Sequence, residues 1–280
     1  MNKQLPYRAA LLSLVLFACF IGIWQYATMP SDNVVVSAAD AEYAALMGQG
    51  AGKAEGFPTP AAVGRTFVHF LSDPFYDNGP NDKGIGIQIA YSLMRVGAGF
   101  FLATLVALPL GFIIGMSPLM MRALNPFIQV LKPISPLAWM PLALYVLKDS
   151  DVSGIFVIFI CSMWPMLLNT AFGVASVRRD WINVARTLEV GPLRKAFQVI
   201  LPAAAPTILT GMRISMGIAW IVIVAAEMLV GGTGVGYFVW NEWNNLALPN
   251  VIFAITMIGL VGMLLDFAFG VLQKMVTYRD

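Results

Sequence analysis

Residues 96–121 read VGAGFFLATLVALPLGFIIGMSPLMM, 26 positions between Arg95 and Arg122 without one charged side chain. A single helical crossing of a bilayer core takes about 20 predominantly apolar residues. The stretch meets that length, and the rest of the chain repeats the pattern. Charge is also absent for 23 positions after Arg8, 26 after Asp151 and 23 after Glu242. Over all 280 residues, apolar side chains make up 59% and charged ones 11%, where soluble domains average roughly 45–50% and about 25%. The expected fold class is therefore all-α, a polytopic integral membrane protein.

Six transmembrane helices are expected, over residues 9–29, 85–116, 124–147, 152–177, 202–230 and 249–274. The first follows Lys3 and Arg8 as a secretory leader would, but its uncharged run exceeds the roughly 7–15 apolar residues of a leader. A retained anchor over 1–29 is the expectation. Cytoplasmic loops keep Lys and Arg. Lys3, Arg8, Arg122, the group Arg178, Arg179, Arg186, Arg194 and Lys195, and then Lys274 and Arg279 fall on one side if both termini are cytoplasmic. Residues 30–84, with seven acids against Lys53, Arg65 and Lys83, then lie outside. Within them, 30–57 lacks any period and reads as a flexible loop. Ala61, Val63, Phe67, Phe70 and Leu71 predict a short amphipathic helix on the outer interface.

Several functions are disfavoured. Cys19 and Cys161 sit in separate apolar runs and His69 is the single histidine, too few ligands for a structural zinc site. A net charge of +2 without a basic tail gives no sign of nucleic-acid binding. Residues 48–54 imitate a phosphate-binding loop, but the spacing is one short and Ala54 stands where Ser or Thr would hold Mg²⁺. The run from Gly231 to Gly236 follows a membrane helix and reads as a turn rather than a nucleotide site. No nucleophile–base motif suggests proteolysis in the membrane. The chain is expected to be a non-enzyme.

The segment before the fifth span is RRDWINVARTLEVGPLRKAFQVILP, residues 178–202. Asp180 is placed to cap a short helix with Trp181, Ala185 and Leu188 on its apolar side. Gly191 is the expected stop, and Pro192 opens a second helix with Leu193, Phe197 and Ile200 on one side. Such a connector either rests on anionic headgroups or docks a cytoplasmic protein.

This segment resembles the cytoplasmic loop of the permease subunits of ABC importers, whose Glu-Ala-Ala, three residues, Gly, nine residues, Ile, one residue, Leu-Pro pattern docks on the ATPase. Leu201 and Pro202 match its end, Ala185 matches within the Glu-Ala-Ala, while Asn183, Val184 and Glu189 stand at its acid, first Ala and Gly. The resemblance spans 85–275 and is nearest the branch for nitrate/nitrite, bicarbonate, and taurine or alkanesulfonates. Tyr91 to Phe100, Leu201 to Pro206 with Gly211 to Arg213, and Ala225 to Met228 carry it, and Leu131 to Pro141 looks nitrate-type.

The resemblance implies the binding-protein-dependent (MetI-like) permease fold and an inner-membrane location. It implies a homodimer working with two cytoplasmic ATP-binding subunits and an external substrate-binding protein. ATP and Mg²⁺ would sit on those partners, with no cofactor bound by this chain. The coupling residues would be Asn183, Val184, Ala185, Arg186, Leu188, Glu189, Gly191, Leu201 and Pro202. A tail, 276–280, would follow the core.

Charged and polar residues within spans normally face the protein interior or a water path. Arg95 and Arg213 are candidate anion contacts, and Glu227 is a structural partner or gate. Pro133, Pro136 and Pro141 each remove a backbone donor, and broken helices often line transporter pathways. Lys132, Ser135, Trp139 and Met140 are pathway candidates on that ground. Gly111 and Gly115 are spaced for close helix packing. Two other readings stay open: a channel or ion-coupled transporter using Glu227 and Asp266, and a membrane scaffold.

Overall fold

The computed structural model describes residues 5–28, 57–79 and 82–276. The loop expected at 30–57 (Phe57 apart), the sequence 48–54 and the end of the tail lie outside the described residues. The chain divides into two compact units, residues 1–73 with 242–253, and residues 74–241 with 254–280. Regular structure among the described residues is helical, with one isolated bridge between Asp77 and Lys83.

In the smaller unit, α1 (Leu5–Ala27) is an apolar helix and α2 (Pro60–Ser72) a short amphipathic one. Thr59 starts α2: its hydroxyl accepts from the Ala62 amide, and Pro60 fills the first turn, where no donor is needed. Trp24 of α1 donates its indole N–H to the Pro58 carbonyl at 3.0 Å. The apolar face of α2 is a packed seat: Phe70 stacks on Phe253 at 5.1 Å and Phe67 meets it edge-on at 4.8 Å. Ala61 and Leu71, expected on that face, are exposed.

The larger unit holds α3 (Ile85–Met116), α4 (Pro118–Leu131), α5 (Pro136–Leu147), α6 (Ser150–Ala175), α7 (Arg179–Thr187) and α8 (Pro192–Val230). Helices α9 (Val235–Asn244) and α10 (Leu248–Val276) contribute residues to both units. Helix α6 packs along both α3 and α8. A Cβ at Gly111 would lie 2.6 Å from that of Thr170, one at Gly115 2.7 Å from that of Val174, and one at Gly211 2.5 Å from that of Asn169. Those distances are too short for real atoms, so hydrogen at these positions sets the approach of α3 and α8 to α6. The buried hydroxyls of Ser162 and Thr170 donate to carbonyls one turn back, and Ser215 of α8 donates to the Ser162 carbonyl at 2.6 Å.

Among the described residues, five helices are long and apolar enough to cross a membrane, and α4 with α5 makes a sixth if the bent pair is one span. The span expected as one helix over 124–147 begins at Pro118 instead and breaks after Leu131, its halves bent by 90°. Pro118 in the first turn, with the Ser117 hydroxyl accepting from Met120, starts the helix earlier than the apolar pattern suggests. Pro133 and Pro136 cannot donate to carbonyls four residues back, so the ladder fails where they crowd together. Asp149 caps α6 by accepting from the Val152 amide at 2.8 Å, just after Lys148 closes α5 in the left-handed region. Helix α8 starts at Pro192 and passes through a π-helical stretch, Ala196–Ile200, where the Leu201 amide reaches back to the Ala196 carbonyl. Pro202, which lacks an amide proton, follows immediately.

Candidate functional site

Residues 178–200 are anchored at one point and bare elsewhere. A buried cluster of Val174, Val177, Ile200, Ala204 and Ile208 joins the end of α6 to the start of α8, with Ile182 and Leu201 packed against it. Ala185 is buried beside Ile182 on the same side of α7. Trp181, Val184, Leu188, Leu193 and Phe197 remain exposed, Leu188 by 71% and Leu193 by 76%. Leu188 and Trp181 thus lie away from the face that α7 buries, against expectation: Ile182 and Ala185 define that face. Of the other matched positions, Asn183, Arg186, Glu189, Gly191 and Pro202 are exposed.

Two local expectations are corrected. Asp180 does not cap α7; Arg178 holds the N-cap position without a side-chain bond, and Asp180 lies in the first turn, 3.4 Å from the Arg178 guanidinium. An acid there still favours the helix dipole. Nor does Gly191 stop α7. The Val190 amide donates to the Ala185 carbonyl and the Glu189 amide to that of Arg186, with Glu189 at φ 49°. That pair of bonds is a Schellman turn, whose left-handed position is usually Gly. Gly191 caps the next helix instead. The position where the resembling pattern has Gly is the one that needs it. Glu189→Gly should firm the turn by about 1 kcal/mol, since a side chain in this conformation is strained by roughly that amount. Trypsin should then cut at Arg186 and Arg194 more slowly than in wild type; equal or faster cutting would count against the strain.

At the opposite end of the spans, Glu227 is 4% exposed and gathers a polar cluster. Gln88, Ser92 and Arg95 stand on one face of α3. Ser92 Oγ lies 2.8 Å from both carboxylate oxygens and donates its proton to them. Arg95 Nη1 donates to Glu227 at 2.7 Å and to the Thr233 carbonyl at 2.6 Å. Its Nε and Nη2 donate to Asp151 at 3.0 and 2.6 Å. Three consecutive amides of the glycine-rich turn complete the set: Gly234 donates to Gln88 Oε1, Val235 to Ser92 Oγ and Gly236 to Glu227. Gly231 and Gly232 take positive φ, and a Cβ at Gly234 or Gly236 would collide with Glu227. The run 231–236 is built around an internal carboxylate. Three helices and this turn are thereby locked together.

The second in-span pair is different. Arg213 of α8 meets Asp266 of α10 side-on, Nε donating at 2.6 Å and Nη2 at 2.5 Å. The two side chains are 38% and 57% exposed. Nearby, Gln273 donates to Thr210 at 2.8 Å and Trp220 to the Ile258 carbonyl at 3.0 Å, so long side chains join the two helices.

Of the expected pathway residues, Arg95, Glu227 and Met140 line one small crevice together with Asp151, Gly154 and Ile223. Met140 is buried, Trp139 partly so, and Lys132 and Ser135 are exposed at the bend. Lys132, Ser135, Trp139 and Arg213 do not line that crevice. Gln88, Ser92 and Asp151 were not anticipated, although 88, 92 and 95 share helical spacing in an otherwise apolar span. Among the described residues, no group of three or more His, Cys, Asp or Glu is placed to hold a metal ion.

A bundle of membrane-length helices defines a multi-pass membrane component, and its basic connector presents a bare apolar face. The profile of the family described as "Binding-protein-dependent transport system inner membrane component" matches residues 107–279, and the chain belongs to that family. It is therefore a non-catalytic permease component of an ABC importer, a family that works with ATPase and substrate-binding partners. It is 44% identical to the nitrate import permease protein NrtB of Synechocystis sp. over 226 residues, 81% of this chain and 82% of that one. It is 43% identical to the bicarbonate transport system permease protein CmpB of the same organism, over 74% of each chain. Among solved structures, an inward-facing MetNI methionine ABC transporter matches with TM-score 0.59 at 15% identity, over 68% of this chain and 94% of that one. At that identity the match speaks for the fold alone.

Proposed function

We propose that this chain is the permease subunit of an ATP-driven importer of a small oxyanion, with nitrate and nitrite as its substrates. In this reading residues 85–275 form the transport core, and a homodimer carries two cytoplasmic ATP-binding subunits and receives substrate from an external binding protein. Both termini are cytoplasmic. ATP and Mg²⁺ sit on the partners. The observation that carries the docking role is the bare apolar face of Trp181, Val184, Leu188, Leu193 and Phe197, held on the buried cluster that joins α6 to α8. Force applied there reaches both spans at once, which is what switching access between two sides requires. The substrate rests on the likeness to a nitrate import permease.

Reconstitution with cognate ATPase and binding protein tests it. Labelled nitrate should enter proteoliposomes only with ATP and the binding protein together. Uptake without the ATPase would instead support a channel or ion-coupled carrier. The likeness to a bicarbonate permease makes bicarbonate the second reading. Competition by bicarbonate, but not by excess nitrite, would favour it, and competition by taurine would move the substrate to the sulfonates.

A further inference from the structure

Arg95 and Arg213 both pair with carboxylates inside the helix bundle, and their surroundings give them different work. Arg95 is 12% exposed, and Nε, Nη1 and Nη2 all donate to acceptors on Asp151, Glu227 and Thr233. It is committed to holding helices together. Among the described residues Arg213 has one partner, Asp266, which takes the side-on edge formed by Nε and Nη2. A guanidinium has a second bidentate edge, Nη1 with Nη2, which can pair with two oxygens of a planar anion. Over the face of that guanidinium α10 carries Gly270, where an added Cβ would be in ordinary contact, 3.6 Å from Cζ and Nη1 and 3.7 Å from Nη2. The pair is partly exposed, and an in-span ion pair does not ordinarily face hydrocarbon.

We propose that Arg213, held side-on by Asp266, offers its free end-on edge as a binding subsite for a planar trigonal oxyanion moving through the protein. This rests on the oxyanion-import reading above and names the contact within it. Asp266 orients the fork and, by its own charge, keeps the anion from binding too tightly to leave. A carboxylate on one edge and nitrate on the other have the same planar, two-oxygen geometry, so a single guanidinium accommodates both. A sulfonate, which is tetrahedral, fits the edge but not the plane.

The experiment is nitrate uptake by the complete complex in proteoliposomes, read as KM and kcat for wild type, Arg213→Lys and Asp266→Asn. Lys keeps the charge and loses the fork, so KM should rise about tenfold or more. Asn removes the opposing charge and keeps an acceptor, so KM should fall and kcat fall with it. Opposite movements of KM support the subsite. If KM moves the same way in both variants, or in neither, the pair is only a strut and the subsite is wrong. Loss of complex assembly in both variants would make it a subunit contact, which overturns the subsite equally. If Arg213→Lys alone fails to assemble, the Asp266→Asn arm decides: an unchanged or raised KM overturns the proposal. Wild-type complex that imports neither nitrate nor bicarbonate refutes the oxyanion reading itself, which separates the two failures.

Discussion

Glu227→Ala should cost the protein about 3–5 kcal/mol, the usual consequence of stripping one partner from a buried ion pair. The size follows from what is left behind. Arg95 keeps Asp151 but loses its buried counter-ion, Ser92 loses its 2.8 Å carboxylate acceptors and falls back on the Gln88 carbonyl at 3.2 Å, and the Gly236 amide loses its carboxylate acceptor. The change would be read as a lower thermal midpoint for purified protein in detergent, with the 231–236 turn becoming protease-sensitive. Glu227→Gln, which retains the shape and an acceptor, should lose less. Asp151→Asn should change stability by no more than about 1 kcal/mol, because Asp151 is 66% exposed and shares Arg95 with the solvent-facing side. A wild-type midpoint for Glu227→Ala would show that the carboxylate is not the tie.

The paired change Leu188→Asp with Leu193→Asp should abolish co-purification of the ATPase while the permease still inserts and folds. Both side chains are exposed and rest on no partner within the chain's buried cluster, so their loss leaves the internal packing intact. An interface centre depends on a few desolvated apolar anchors, and a charge placed there has no counterpart. Ala185→Asp would be a poorer probe. Ala185 is 4% exposed beside the cluster, and a carboxylate there would unseat α7 for reasons unrelated to docking. Retained co-purification by the Leu188, Leu193 variant would remove the apolar face as the docking surface.

Much of this architecture can be read directly from uncharged runs, because the bilayer imposes length and apolarity on every crossing. The packing of Gly111 and Gly115 was legible for a related reason: small residues at helical spacing in a span have few uses other than close approach. What escaped the sequence depends on partners distant along the chain. Nothing near Glu227 announces Ser92 or Asp151, and Arg213 and Asp266 are 53 positions apart. The bend between α4 and α5 was half visible: the prolines mark a break, but its angle is set by how the halves pack. Gly191 misled for an instructive reason. Glycine is the preferred left-handed residue, yet here hydrogen-bond register puts that conformation two positions earlier, on Glu189. The family pattern held the better signal.

The Glu227 lock also has a history within each molecule's own synthesis. Ser92 and Glu227 are 135 residues apart, whereas Arg95 and Asp151 are separated by 56. A ribosome adding about 5–20 residues per second takes roughly 7–27 s to cover the longer interval. Asp151 is therefore the first of Arg95's two carboxylates to be made, and Glu227 arrives only after α6 and most of α8 have been translated. From the making of Asp151 until that of Glu227, Arg95 has a surface acid as its one available carboxylate, and the glycine turn closes the cluster only afterwards.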